Sequence, residues 1–206
     1  HLFNRLKAIY EGIFLLQELS LKTLAKVASF GERLSSYIIA NATKELLNAT
    51  HKDSRELINT NSDSLNAQVN FNQTNKNCVN YFEKNNFDTV ILGGFIAADE
   101  KGETTTLGRG GSDYSAAIYA AALGANELQI WTDVSGMYSA NPRVVKQAFP
   151  ITQISYEEAM ELSHFGAKVL YPPTIQPVLE KEIPIRIKNT FDPENQGTLI
   201  SKESTN

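Results

Sequence analysis

The residues most able to do chemistry are gathered at Gly108-Arg109-Gly110-Gly111-Ser112-Asp113. Glycines let backbone N–H groups come close to a ligand, and a helix start adds partial positive charge. Arg109 inside the turn offers a planar fork matched to a carboxylate or a phosphate. Asp113 either serves the ligand or caps the helix with Ser112. Two more polar clusters stand out, Gly93-Gly94 and Thr132-Asp133. Together they point to anion binding. A nicotinamide site is disfavoured, because no Gly-x-Gly-x-x-Gly opens a helix with an acidic residue about 20 residues on. His51 and His164 are lone histidines without partner spacing and are read as structural.

These clusters need elements to hold them. The apolar run Val90–Ala97 predicts a strand over 89–97, followed by a loop from Asp99 to Thr106. Tyr114–Ala125 predicts a close-packed helix of small residues closed by Gly124. Glu127–Asp133 reads as a buried strand ending in polar residues, and Asn141-Pro142-Arg143 as a turn. Ser155 caps a helix to about Ser163, with Glu157 and Glu158 in its first turn, where they suit the dipole. Pro172-Pro173 opens a helix to about Lys181, and Ile185–Asn189 is a closing strand.

Upstream, Leu2, Leu6, Ile9, Ile13, Leu16 and Leu19 predict one face of an amphipathic helix. Ser20 caps a second helix, with Leu21, Leu24, Ala25 and Ala28 on its buried side. Gly31 interrupts that run, and the apolar pattern resumes through Ile38 and Ile39. Residues 41–80 predict short strands and loops, with a short helix around Val79, Tyr81 and Phe82. Strands alternating with helices imply an α/β layered fold with a largely parallel sheet. Ligands in such sheets bind at the carboxyl ends of strands, where all three polar clusters fall.

Bulk properties narrow the classes. A chain of 206 residues with 42% apolar and 20% charged residues is an ordinary globular protein with a sizeable core. A net charge of −4 gives no case for a nucleic-acid partner. The single Cys78 excludes an internal disulfide and fits a reducing, cytoplasmic compartment. No run approaches the roughly 20 apolar residues of a membrane helix. The chain opens at His1 inside a helical pattern, which predicts that further sequence precedes it.

Several segments, in order, resemble the aspartokinases. Thr106–Tyr114 resembles their aspartate-binding signature, and Ser29–Ser35 their second substrate segment. Trp131–Tyr138 with Asn141-Pro142-Arg143 resembles the nucleotide segment, and Phe165–Leu170 the later lysine motif. Glu158–Ser163 is most similar to the kinase domain of bifunctional aspartokinase–homoserine dehydrogenases. The resemblance implies an amino-acid-kinase fold, N-terminally truncated here, with an amino-acid-binding lobe over 1–88, a nucleotide lobe over 89–200 and a tail over 201–206. It implies transfer of the γ-phosphoryl of ATP to the β-carboxylate of L-aspartate, opening lysine, threonine and methionine synthesis.

By the same resemblance, Glu32, Arg109, Gly110, Gly111, Ser112 and Asp113 bind the amino acid. Arg109 and Asp113 act in catalysis. Asp113 shares the substrate ammonium or orients cationic groups. Thr132, Asp133, Tyr138, Arg143 and Lys168 surround the nucleotide. Mg²⁺ would be held mainly by ATP phosphates and water, without a protein metal site. A homo-oligomer is expected for the full-length protein.

Three departures stand beside this. The family's Lys-Phe-Gly-Gly-Thr type phosphate loop has no counterpart in these residues, so slow turnover or none is expected of this segment. Asn141 and Tyr171 stand where aspartate and histidine are common in the family. No ACT regulatory domain falls within the chain. The alternatives are another kinase of the same fold, acting on glutamate, acetylglutamate, carbamate or uridylate, or a non-catalytic amino-acid-binding module.

Overall fold

A computed structural model describes residues 1–141, 144–164, 170–171 and 175–202. The chain forms two compact units, His1–Ser115 and Ala116–Asn206. The expected lobe boundary at residue 88 falls inside the first unit, because the segments after it pair with strands before it.

In the first unit, α1 (Leu2–Leu16) keeps Leu2, Leu6, Ile9 and Ile13 half-buried. The expected stripe ends there. The helix stops at Gln17 in a left-handed conformation, and Leu16 and Leu19 are exposed. α2 (Leu21–Leu47) starts where expected, with Ser20 accepting from the Thr23 N–H at 3.2 Å. It does not break at Gly31. Ala25, Ser29, Arg33, Ser36 and Ala40 form one buried stripe across that position. Packing along this stripe outweighs the roughly 1 kcal/mol that an interior glycine costs.

β1 (Ala49–Lys52) leads to a 3₁₀ turn (Ser54–Glu56) and β2 (Asn59–Thr60). α3 (Phe71–Lys84) begins at Asn70, whose side chain accepts from the Gln73 N–H. Residues 41–80 therefore hold more helix than expected. α3 buries only Thr74 and Cys78, so its apolar period is faint in the sequence. The run at 89–97 is two strands, β3 (Thr89–Leu92) and β4 (Ile96–Asp99). β3 pairs parallel with β1, and β4 pairs parallel with β2. The expected loop after Asp99 is a hairpin: β5 (Thr104–Thr106) pairs antiparallel with β4, and all three threonines are buried. α4 (Gly111–Leu123) carries the chain into the second unit.

The second unit is built on a four-stranded sheet. In chain order its elements are β6 (Leu128–Thr132), β7 (Met137–Tyr138), β8 (Pro150–Ile151), β9 (Gln153–Ser155), α5 (Tyr156–His164), α6 (Gln176–Leu179), β10 (Ile185–Asn189) and β11 (Thr198–Ser201). The sheet order is β6-β10-β11-β9, and β7 pairs with β8 separately. β10 lies parallel to β6 and antiparallel to β11, so the strand pairing is mixed. Register stacks the core: Ile185 pairs with Leu128 and Ile200, and Ile187 with Ile130 and Thr198, all buried. Burying each isoleucine contributes roughly 1.5–3 kcal/mol. Contrary to a fully buried β6, Gln129 and Trp131 face outward. Ser155 and Glu158 close α5 as a reciprocal capping box. The helix expected from Pro172 is described only as α6, because residues 172–174 lie outside the described residues.

Candidate functional site

Within the first unit, the glycine turn is shaped by two left-handed residues, Gly108 (φ +71°) and Gly110 (φ +69°). Arg109 sits exposed between them. The Gly111 N–H donates to Gly108 O at 3.1 Å and the Tyr114 N–H to Gly110 O at 2.9 Å, so the turn passes directly into α4. Ser112 and Asp113 occupy its first turn. Burial pushes the Asp113 carboxyl above its ordinary pKa.

The strand break at Gly93-Gly94-Phe95 lies against this helix start. A Cβ on Gly94 would stand 3.0 Å from Ser112 Cα, a contact tighter than nearly all side chains make, so glycine eases the approach. A Cβ on Gly93 would lie 3.4 Å from Glu32 Cβ. Glu32, the two glycines and Ser112 thus form one continuous wall, although they come from α2, the end of β3 and the start of α4. Phe95 completes it. Its N–H donates to Ser115 Oγ at 2.9 Å, and that hydroxyl donates to Gly111 O at 2.8 Å. Phe95 holds φ +68°, a strained backbone for a residue with a Cβ. The sequence reading missed Phe95. Its one available signal was the Gly-Gly-Phe triplet inside an apolar run.

In the second unit, Thr132 ends β6 and its hydroxyl donates to Asp133 Oδ1 at 3.2 Å. Register sets Thr132 beside Asn189, whose amide donates to Ser135 Oγ at 2.9 Å. Asp133 is exposed and Tyr138, in β7, is half-buried. Gly136 (φ +101°) turns the chain between them, and the Met137 N–H is held by Thr198 Oγ1 at 2.7 Å. Thr132, Asp133 and Tyr138 are thus tied to one sheet end. Arg143 and Lys168 lie outside the described residues. Next to Thr132, exposed Trp131 carries the Lys188 ammonium 4.9 Å from its ring centre.

The first unit thus carries a strand-turn-helix anion cradle, and the second a polar strand end, each on an α/β frame. The chain belongs to the amino acid kinase family, whose model matches residues 5–189. It is 40% identical to the bifunctional aspartokinase/homoserine dehydrogenase of Buchnera aphidicola subsp. Acyrthosiphon pisum over 208 residues, 98% of this chain and 25% of that protein. It is 50% identical over 117 residues to lysine-sensitive aspartokinase 3 of Escherichia coli, 57% of this chain and 26% of that protein. The crystal structure of E. coli aspartokinase III in complex with aspartate and ADP superposes with a TM-score of 0.88 at 34% identity, covering 100% of this chain and 46% of that one. The chain thus spans about a quarter of the length of the curated relatives it matches.

Proposed function

We propose that this chain is an aspartate kinase domain, transferring the γ-phosphoryl of ATP to the β-carboxylate of L-aspartate, the first step toward lysine, threonine and methionine. The observation that carries the reading is Arg109, presented between two left-handed glycines at the start of α4. A carboxylate nucleophile has a pKa near 4, so it is ionised at neutral pH and needs no general base. The work is to position two anions and neutralise the transferring group. Arg109 grips a substrate carboxylate, Glu32 accepts from the ammonium, and the backbone around Gly110 and Gly111 lines the pocket with Ser112. Asp113 shares the ammonium or orients cationic groups.

Thr132, Asp133 and Tyr138 take the nucleotide, with Arg143 and Lys168 assigned by resemblance alone. The hydroxyl and carboxylate at the end of β6 are hard oxygen donors of the kind Mg²⁺ accepts. Mg²⁺ held mainly by ATP phosphates and water would neutralise charge on the β- and γ-phosphates. The likeness to the Buchnera protein supports a kinase domain of the bifunctional type. A cytoplasmic location and a homo-oligomeric full-length protein belong to the same reading, the second tested by light scattering.

The direct test incubates the natural full-length protein with ATP, Mg²⁺ and L-aspartate and traps the acyl phosphate as hydroxamate. Signal well above an Arg109→Ala control is expected. No excess over that control, or signal only with glutamate, acetylglutamate, carbamate or uridylate as acceptor, overturns the reading.

A further inference from the structure

A largely buried ionic cluster adjoins Glu32: Arg33 is buried, and Asp53 and Arg55 are half-buried. Arg33, the next residue on α2, is only 8% exposed, and its guanidinium carbon stands 4.9 Å over the Phe30 ring. Its Nε lies 3.6 Å from Asp53 Oδ2, beyond hydrogen-bond reach, and has no acceptor among the described residues. Asp53 is occupied by Arg55, which donates to it from Nε at 2.9 Å, from Nη2 at 2.6 Å and from the backbone N–H at 3.1 Å. Burial works against the ionised Asp53 carboxyl, but the Arg55 bonds outweigh it and hold the pKa below its ordinary value. Two guanidiniums thus share one carboxylate.

As a device for stability alone this is a poor arrangement. Removing charges from water costs several kcal/mol, and apolar residues of similar volume commonly do as well or better. The cluster instead connects elements. Arg33 is adjacent to Glu32. Fully buried Ser54 donates its hydroxyl to Gly93 O, the carbonyl of the glycine packed on Glu32. Arg55 Nη1 donates to Thr104 Oγ1 at 2.9 Å, in the strand that leads into the glycine turn. Three consecutive residues therefore reach Arg33 beside Glu32, the Gly93 carbonyl of the wall, and the strand feeding Arg109.

We infer that Asp53 is a positioning residue for amino-acid binding: with Ser54 and Arg55 it sets Glu32, Gly93 and the β5 approach to Arg109 in one fixed arrangement. The inference rests on the aspartate-kinase reading and adds residues that do not touch substrate. Their action is on where Glu32 and Arg109 stand, so their loss should appear in the KM for the amino acid and spare the KM for ATP.

The test compares the natural full-length protein with Asp53→Asn, Ser54→Ala and Arg33→Lys. Thermal unfolding is followed beside the KM for L-aspartate and for ATP. The expected result for Asp53→Asn is a rise of about tenfold in the aspartate KM, the size of one lost charge-assisted bond, with the ATP KM within twofold. Ser54→Ala should show a smaller rise of the same kind. Arg33→Lys, which keeps a positive charge beside Asp53, should leave the aspartate KM close to the wild-type value. A merely structural role would lower Tm and the active fraction while leaving both KM values unchanged. That result, or equal rises in both KM values, overturns the inference. Should Asp53→Asn not fold, Ser54→Ala carries the same comparison. Failure of all three to fold assigns the cluster to folding and also overturns it. An inactive wild-type protein defeats the kinase reading itself, which separates the two failures.

Discussion

The two units use the same residue type to opposite ends. In the first, Gly93 and Gly94 let α2, the end of β3 and the start of α4 close on one another, while Gly108 and Gly110 expose an arginine. In the second, Gly136 and Gly197 pack against the sheet itself. A Cβ on Gly197 would stand 1.8 Å from Ile187 O, and one on Gly136 2.4 Å from Thr198 Oγ1. Glycine in the first unit shapes a binding wall made of separate elements. In the second it lets turns seal a core whose register already places the functional strand ends. Damage in the first region should therefore reach function before stability, and in the second the reverse.

The largest effect expected is at Gly197. Gly197→Ala meets both a positive φ (+66°) and a backbone oxygen, and should cost about 3 kcal/mol or more, seen as a lower midpoint in urea unfolding. A midpoint equal to wild type would break the comparison. Next comes Arg109→Ala, expected to lower kcat/KM for aspartate by about 100-fold with an unchanged Tm, because the side chain is exposed. Arg109→Lys should restore little, since lysine lacks the planar fork. Asp133→Ala, at a strand end held by sheet register, should raise the ATP KM by about tenfold and spare the aspartate KM.

Smaller effects sharpen the picture. Gly31→Ala, with open space around the added Cβ, should stabilise the protein by roughly 0.5–1 kcal/mol and leave activity unchanged. Two carboxylates of the first unit should respond to pH with opposite sign. Asp53 has a lowered pKa, so its stabilisation is present above the ordinary carboxylate range and is lost as pH falls through its folded value. Asp113 has a raised pKa, so its contribution is present below that range and lost as pH rises through its folded value. At pH 7, Asp53→Asn should lower Tm, and Asp113→Asn should raise it slightly while removing activity. Melting curves from pH 3 to 8 check both.

Much of the second unit was legible. Ser155 with Glu158, the alternation of Ile185 and Ile187, and the polar end of β6 all depend on neighbours a few residues apart. The first unit was less so. Glu32 and Arg109 were recognisable through their segments, but Phe95 had only the Gly-Gly-Phe triplet to mark it, and nothing local marked the Ser115 hydroxyl that supports it 20 residues away. Asp53 was hidden in a polar stretch whose partners, Arg33 and Thr104, lie far along the chain.

By itself the sequence determined the helix starts at Ser20 and Ser155, the strands at 128–132 and 185–189, and a glycine turn presenting Arg109. Capping, side-chain period and glycine's freedom at positive φ act within one turn or strand, so their signatures are local. Only the tertiary structure decided that α2 runs through Gly31, that 89–99 breaks into two strands, that Thr104–Thr106 is a buried strand, and that Asp53 stands against Arg33. Those outcomes turn on burial and pairing with residues tens of positions away, where packing energies exceed local preference.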